Sequence, residues 1–355
     1  MVLPLAPGYI GPGAETKRGR AVFRRLAVGL AVLALLASGL WFAWAQAIER
    51  VVTDWLEARA EEGWLVNYAD VEVTGFPTHF QTRFDALELA DPETGWVWTL
   101  PEMTLEQQAF RPDHIRAEWP EQQRLASPYE RLTIRSGSMT SELDVQPTAS
   151  FALDLSDTTL ADVVVESDAG WRMTLPQGHL TMARLEGEAS TYDVSFSASD
   201  LEPPAITRTR LDPAGLLPEA ISTLDYEAVM EFDRPWDIRA IEERRPQITR
   251  LDLRETEAAW GGLVLRAAGE LEVDASGIPE GDLSIRAENW RDMIDMAVNA
   301  GLLPEGMRGT AEGLLGVVAG LSGDPEVIDA ELGFSNGRMF LGPMPLGRAP
   351  RLLLR

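Results

Sequence analysis

The 355-residue chain carries 56 acidic against 31 basic residues, a formal charge of −25, with 45% apolar residues and no cysteine. That charge excludes a protein that grips nucleic-acid phosphates through basic patches. The missing thiols exclude a disulfide framework, thiolate catalysis and cysteine-ligated metal, and with Lys17 as the one lysine, Schiff-base chemistry in the body is excluded too.

Residues 1–16 are rich in glycine and proline and read as a flexible tail. Lys17, Arg18, Arg20, Arg24 and Arg25 stand against Glu15, so residues 1–25 carry +4 and the remainder −29. Residues 26–45 hold no charge. As a helix they span about 30 Å, the thickness of a bilayer core. Basic flanks stay on the cytoplasmic side. The expectation is a bacterial inner-membrane anchor with a cytoplasmic N-terminus and a periplasmic body. Ala43-Trp44-Ala45 offers the A-x-A pattern of a cleaved leader, but the apolar run exceeds the roughly 7–15 residues of such leaders. We read a retained anchor.

Beyond the anchor, Ile48, Val52, Trp55 and Arg59 fall three or four apart, a helical stalk over 46–62 that Gly63 ends. From Trp64 the apolar period becomes two. Val71 and Val73 lead into Gly75-Phe76-Pro77, then Phe80, Thr82 and Phe84 alternate, and 91–95 is turn chemistry. Trp96, Trp98 and Leu100 follow, then Met103 and Leu105, then Ile115, Ala117 and Trp119. Gly95-Trp96-Val97-Trp98-Thr99-Leu100-Pro101 is echoed by Gly170-Trp171-Arg172-Met173-Thr174-Leu175-Pro176, which is either a chance likeness of two hairpins or a repeated sheet unit.

Pro203-Pro204 suggests a connection, and Asp212-Pro213 reads as the start of a short helix. A lobe boundary is placed here, giving β lobes over 64–202 and 203–355. Further helices are expected near 235–245, 289–300 (Asn289 as N-cap, Gly301 as stop) and 310–321. Asn336-Gly337 predicts a tight hairpin. The prolines of 342–347 keep that segment out of a central strand position. The fold class is mainly β (α+β): an N-terminal transmembrane helix, then curved antiparallel β-sheet lobes with a few short helices.

Catalytic signatures are missing. His79, His114 and His179 are scattered, and the chain has no His-Glu-x-x-His, no Gly-x-Ser-x-Gly elbow and no phosphate-binding loop. No catalytic residue, metal site or cofactor is assigned. Asp252, Glu272 and Asp274 form the one acidic group worth weighing, as the pair of an anchored periplasmic hydrolase. The aromatic set Trp64, Phe76, Phe80, Phe84, Trp96, Trp98 and Trp119 is either the core of the first lobe or, through Phe76, Phe80, Phe84, Trp96, Trp98 and Trp119, the lining of an apolar groove. The partners expected are the membrane and, for a groove, lipid. Nucleic acid is not expected, and protein partners are not specified.

Three stretches carry a family resemblance: the stalk running into Val73-Thr74-Gly75-Phe76-Pro77; 269–274 with Gly277-Ile278-Pro279-Glu280-Gly281; and Phe334-Ser335-Asn336-Gly337-Arg338 with Leu341-Gly342-Pro343. Together they resemble the alphaproteobacterial envelope family that carries domain of unknown function 2125. That resemblance implies an envelope location and no particular activity, with Gly75, Phe76 and Pro77 as the family-like motif. The pattern of strand, Gly-x-Pro-x-Gly turn and strand is also similar to the AsmA-like envelope proteins. That likeness implies a long curved sheet used as an apolar lipid groove.

Overall fold

The computed structural model describes residues 15–354 apart from Glu93, Ala149, Leu302, Gly323 and Pro343; the Gly/Pro-rich stretch at 1–14 lies outside the described residues. Helix α1 (Glu15–Glu61) is one 47-residue element that contains both the apolar run and the stalk. Gly63 ends it at φ +96°, a backbone conformation that glycine adopts without a Cβ penalty.

Eleven strands follow among the described residues. They are β1 (Leu65–Asn67), β2 (Asp70–Thr74), β3 (His79–Ala90), β4 (Val97–Gln108), β5 (Arg111–Glu118), β6 (Gln122–Ala126), β7 (Arg131–Arg135), β8 (Ser138–Val145), β9 (Leu153–Ser167), β10 (Arg172–Arg184) and β11 (Thr191–Leu201). Then come α2 (Ala205–Leu211), β12 (Ile221–Phe232), α3 (Arg239–Glu242), β13 (Ile248–Trp260), β14 (Leu263–Val273) and β15 (Pro279–Glu288). Helices α4 (Trp290–Asn299) and α5 (Arg308–Ser322) precede β16 (Val327–Ser335), β17 (Arg338–Leu341) and β18 (Met344–Arg348).

Every pairing is antiparallel. The ladder runs β2–β3–β4–β5–β8–β9–β10 and on in chain order to β18. β1 extends β2 along β3, and the β6–β7 hairpin fills the gap between β4 and β9. β11 and β12 pair from Thr191↔Glu231 to Leu201↔Ile221, so the sheet continues through the connection where the sequence suggests a lobe boundary. The proline-rich C-terminal segment forms β18, at the end of the ladder, where a missing N–H costs no central hydrogen bond.

Two local expectations need correction. The helix near 212 lies before Asp212, with Pro204 as its N-cap; the Asp212 carboxylate instead accepts the Leu217 N–H at 2.7 Å. Proline at the helix start needs no donor, so the Pro203-Pro204 pair starts the helix that Asp212-Pro213 was expected to start. Asn289 precedes α4 but makes no side-chain cap. Its backbone is left-handed at φ +57° and its amide donates to the Gly262 carbonyl.

The echoed heptads occupy equivalent places. Gly95 and Gly170, at φ +71° and +87°, each close a hairpin, and each heptad continues as the second strand of that hairpin, β4 or β10. Both strands then carry an internal proline, Pro101 and Pro176. Each proline sits where the partner strand turns left-handed, at Ala86 (φ +53°) in β3 and Asp162 (φ +51°) in β9, both skipped in the register. An unpaired residue opposite a residue with no N–H is how a central strand accommodates proline.

Alternation gives the sheet one apolar and one polar face. On the apolar face, Val71, Phe84, Leu87 and Leu100 pack under Val52, Trp55 and Leu56 of α1. Lower on the helix, Trp41 and Ala45 pack on Phe80. At the far end of the ladder, α4 and α5 cover Ala287 and Ile328. The polar face carries cross-strand ion pairs such as Arg83–Glu102 (3.0 Å), Arg135–Glu166 (2.6 Å) and Arg286–Asp329 (3.0 Å).

The sheet curls with its apolar face inward. Trp55 Nε1 on α1 donates to Glu242 of α3 at 3.2 Å. Yet β4 and β12 are six strand spacings apart, about 29 Å along a flat sheet at ~4.8 Å each. Accumulated twist and the 233–247 connection bring them together. That connection also joins the β8–β9 turn, through Leu153 N–H to Trp236 O (2.7 Å) and Ile238 N–H to Ser150 O (3.0 Å).

Candidate functional site

The six aromatic residues singled out from the sequence divide into three environments. Phe80 and Phe84 are 7% exposed and lie beneath α1. Trp98 and Trp119 contact each other at 5.3 Å between centroids, and both indoles are satisfied: Trp98 by buried Gln123 (3.2 Å), Trp119 by Ser141 (2.9 Å). Such partners are what a buried indole requires. Phe76 and Trp96 are exposed, at 47% and 42%, in turns at opposite ends of the strands. Gly75 of the family-like motif stands at φ +100°, and a Cβ there would meet the His79 carbonyl oxygen at 2.8 Å.

The accessible stretch of the apolar face lies further along the ladder. Cross-strand register aligns Leu180, Phe196 and Tyr226 in one row and Leu224, Ala258 and Leu265 in the next. Leu180 is 42% and Leu265 38% exposed, while Phe196, Leu224 and Tyr226 are half-buried. Among the described residues no helix packs over this row; α1 lies on one side of it and α4 and α5 on the other. The Tyr226 phenol is pushed up to about 12 by burial alone. It has no hydrogen-bond partner among the described residues, so it places one polar donor in apolar surroundings. Alternation alone could not identify this row, because covered and uncovered strand faces have the same period.

A buried cation sits at the seam between α1 and the 233–247 connection. Arg59 is 5% exposed, ion-paired to Glu62 (2.5 Å) and 3.9 Å from Glu242, with its guanidinium 5.7 Å from the Trp55 ring. Two carboxylates and an aromatic face surround its charge, while its Nε has no hydrogen-bond partner among the described residues. The seam therefore reads as structural.

On the polar face a shallow cavity of about 570 Å³ is lined by Arg254, Arg266 and Arg286 with Asp329 and Glu331. Its arginines are already paired, Arg254 with Asp193 and Arg266 with Glu257 and Glu288. Asp274 accepts the Ser276 and Ile278 N–H groups and shapes a turn. Asp252 lies opposite Glu270, and Glu272 opposite Arg250, so Asp252 and Glu272 are diagonal neighbours on one face of β13 and β14, with Asp274 just past the end of the ladder. His114 pairs with Asp144 (2.6 Å) and His179 with Asp157 (2.8 Å). Among the described residues no group of three or more metal-ligating side chains occurs.

From Arg24 onward α1 is long and apolar enough to cross a membrane. Comparison with curated proteins gives no match, and neither does comparison with solved structures. Residues 41–350, nearly all of the helix-and-sheet body, match the model of a family described as an uncharacterized protein conserved in bacteria, domain of unknown function 2125, and the chain belongs to that family.

Proposed function

We propose that this chain is a non-catalytic inner-membrane protein whose periplasmic body holds a lipid acyl chain on the apolar face of its sheet. The observation that carries the reading is the accessible apolar row of Leu180, Phe196 and Tyr226 on the same sheet face that α1 packs against. The membrane-spanning part of α1 packs through Trp41 onto Phe80, and the face that starts there reaches the open row of Leu180, Phe196 and Tyr226. Ser141, Ser156 and Thr158 interrupt it between β8 and β9, with the Ser141 and Thr158 hydroxyls bonded to each other at 2.9 Å.

Transfer of an acyl chain from water onto such a face is worth about 0.8 kcal/mol per methylene. Transfer from a bilayer is worth far less, since both environments are apolar. Exchange with the membrane is therefore close to balanced, which suits a protein that holds lipid reversibly. The Tyr226 hydroxyl supplies a donor for an ester or headgroup oxygen at one point of the path.

The test is photocrosslinking. The full chain, in nanodiscs containing a phospholipid with a diazirine near its tail, is irradiated and digested. Labelled peptides from β10–β12 are expected, and Phe196→Asp removes them. Labelling confined to 24–45 of α1 would sink the proposal.

A further inference from the structure

We propose that the turns flanking the base of α1, 75–78 between β2 and β3 and 109–110 between β4 and β5, form an aromatic collar that inserts into the headgroup layer of the bilayer α1 crosses. This does not depend on the acyl-chain reading; it requires α1 to span the membrane.

The collar is built on the helix itself. Trp41 Nε1 donates to the His79 carbonyl at 3.1 Å, and its ring stacks on Phe80 at 5.3 Å. Phe76 meets Trp41 edge-on at 5.4 Å and stacks on Phe42 at 5.6 Å. The Ala109 N–H donates to the Thr78 carbonyl at 3.0 Å, so the two turns are tied together. Around this base, Phe42, Trp44, Phe76 and Phe110 are 56%, 58%, 47% and 88% exposed. Trp41, Phe42 and Trp44 belong to the uncharged run at 26–45, so the exposed rings of the turns are level with the end of the apolar helix. Aromatic side chains at that level partition into the interface.

Charge supports the same seating. Residues 74–79 and 108–111 contain no carboxylate, in a chain with 56. Arg111 follows Phe110, exposed and paired at 3.9 Å with Asp144, and its long side chain can snorkel toward lipid phosphate. At the opposite end of this part of the sheet, the β3–β4, β6–β7 and β9–β10 turns carry Asp91, Glu130 and Asp168. One of them exposes an aromatic residue as fully as the collar does: Tyr129, at 95%. β4 separates the two ends by about 36 Å over its 12 residues.

The chain has no cysteine, so single labels need no background mutation. Phe110→Cys and Tyr129→Cys, each labelled with the fluorophore NBD, are compared in the full chain reconstituted into phosphatidylcholine vesicles. The collar predicts blue-shifted emission at 110, quenched by spin labels placed near the headgroup, and water-like, unquenched emission at 129. Water-like emission at 110 overturns the proposal. So does equal quenching at both sites, which would mean a body lying flat on the membrane. Both positions are on the surface, so the tryptophan emission of each labelled protein should match that of the parent. Phe76→Ser with Phe110→Ser gives a second readout: faster proteolysis at 75–78 and 109–110 in vesicles, against unchanged rates in detergent. Unchanged rates in vesicles would also overturn it.

Discussion

If the stalk half of α1 is part of the fold rather than a tether, two apolar residues on it must respond very differently to truncation. Leu56 is 1% exposed, packed with Val71, Phe84, Leu87 and Leu100; Val51, five residues earlier, is 67% exposed. Leu56→Ala loses the transfer energy of a fully buried side chain, about 1.5–3 kcal/mol. The cavity it leaves brings the total to roughly 2.5–5 kcal/mol. Val51→Ala removes little buried surface and replaces a β-branched residue with the best helix former, so it is neutral or stabilising by up to about 0.5 kcal/mol. The assay is urea unfolding of the full chain in nanodiscs, followed by tryptophan emission. A Leu56→Ala midpoint shifted no further than that of Val51→Ala would refute the packing of α1 on the sheet.

Other consequences can be measured independently. Tyr226, raised to about 12 by burial, keeps its proton in the folded chain after an unfolded tyrosine, at 10, has lost it. Its contribution to stability is thus complete below pH 10 and is lost as pH rises toward 12; the ultraviolet titration difference between the parent and Tyr226→Phe should have its midpoint there. Gly269→Ala would put a Cβ 2.3 Å from the Asp282 carbonyl oxygen, and Gly281→Ala one equally close to that of Glu270. Each should cost more than about 2 kcal/mol in thermal unfolding, against about 1 kcal/mol for Gly63→Ala, where the space is open. Gln123→Leu strands the Trp98 indole N–H and should cost about 1–3 kcal/mol, less in a Trp98→Phe background.

Much of the architecture was legible in the sequence because it follows from local chemistry. The period-two runs became strands, Asn336-Gly337 formed its tight turn with φ +53° and +71°, and the stretch at 289–300 became α4. The repeated heptad was visible as a pattern, but its meaning depended on residues that do not match: nothing in Ala86 or Asp162 announces a left-handed residue until Pro101 and Pro176 are seen opposite them. Site prediction was weaker for a similar reason. Aromatic content pointed to β3–β5, yet Phe80 and Phe84 are covered by a helix whose docking side depends on contacts far apart in sequence. The accessible row at Leu180, Phe196 and Tyr226 is a property of what does not cover it.

Because α1 passes from its apolar run into the folded body without a break, the body has no swivel. A flexible tether would let it sample many orientations and would spread its effective concentration through a hemisphere set by linker length. With α1 across a bilayer, a continuous helix would hold the body at one tilt, so that copies would differ in position and in rotation about the membrane normal. Encounters within that bilayer would then be a two-dimensional search between pre-aligned surfaces. A flexible glycine- and serine-rich insertion after residue 45 should impair the protein even where every contact in the sheet survives.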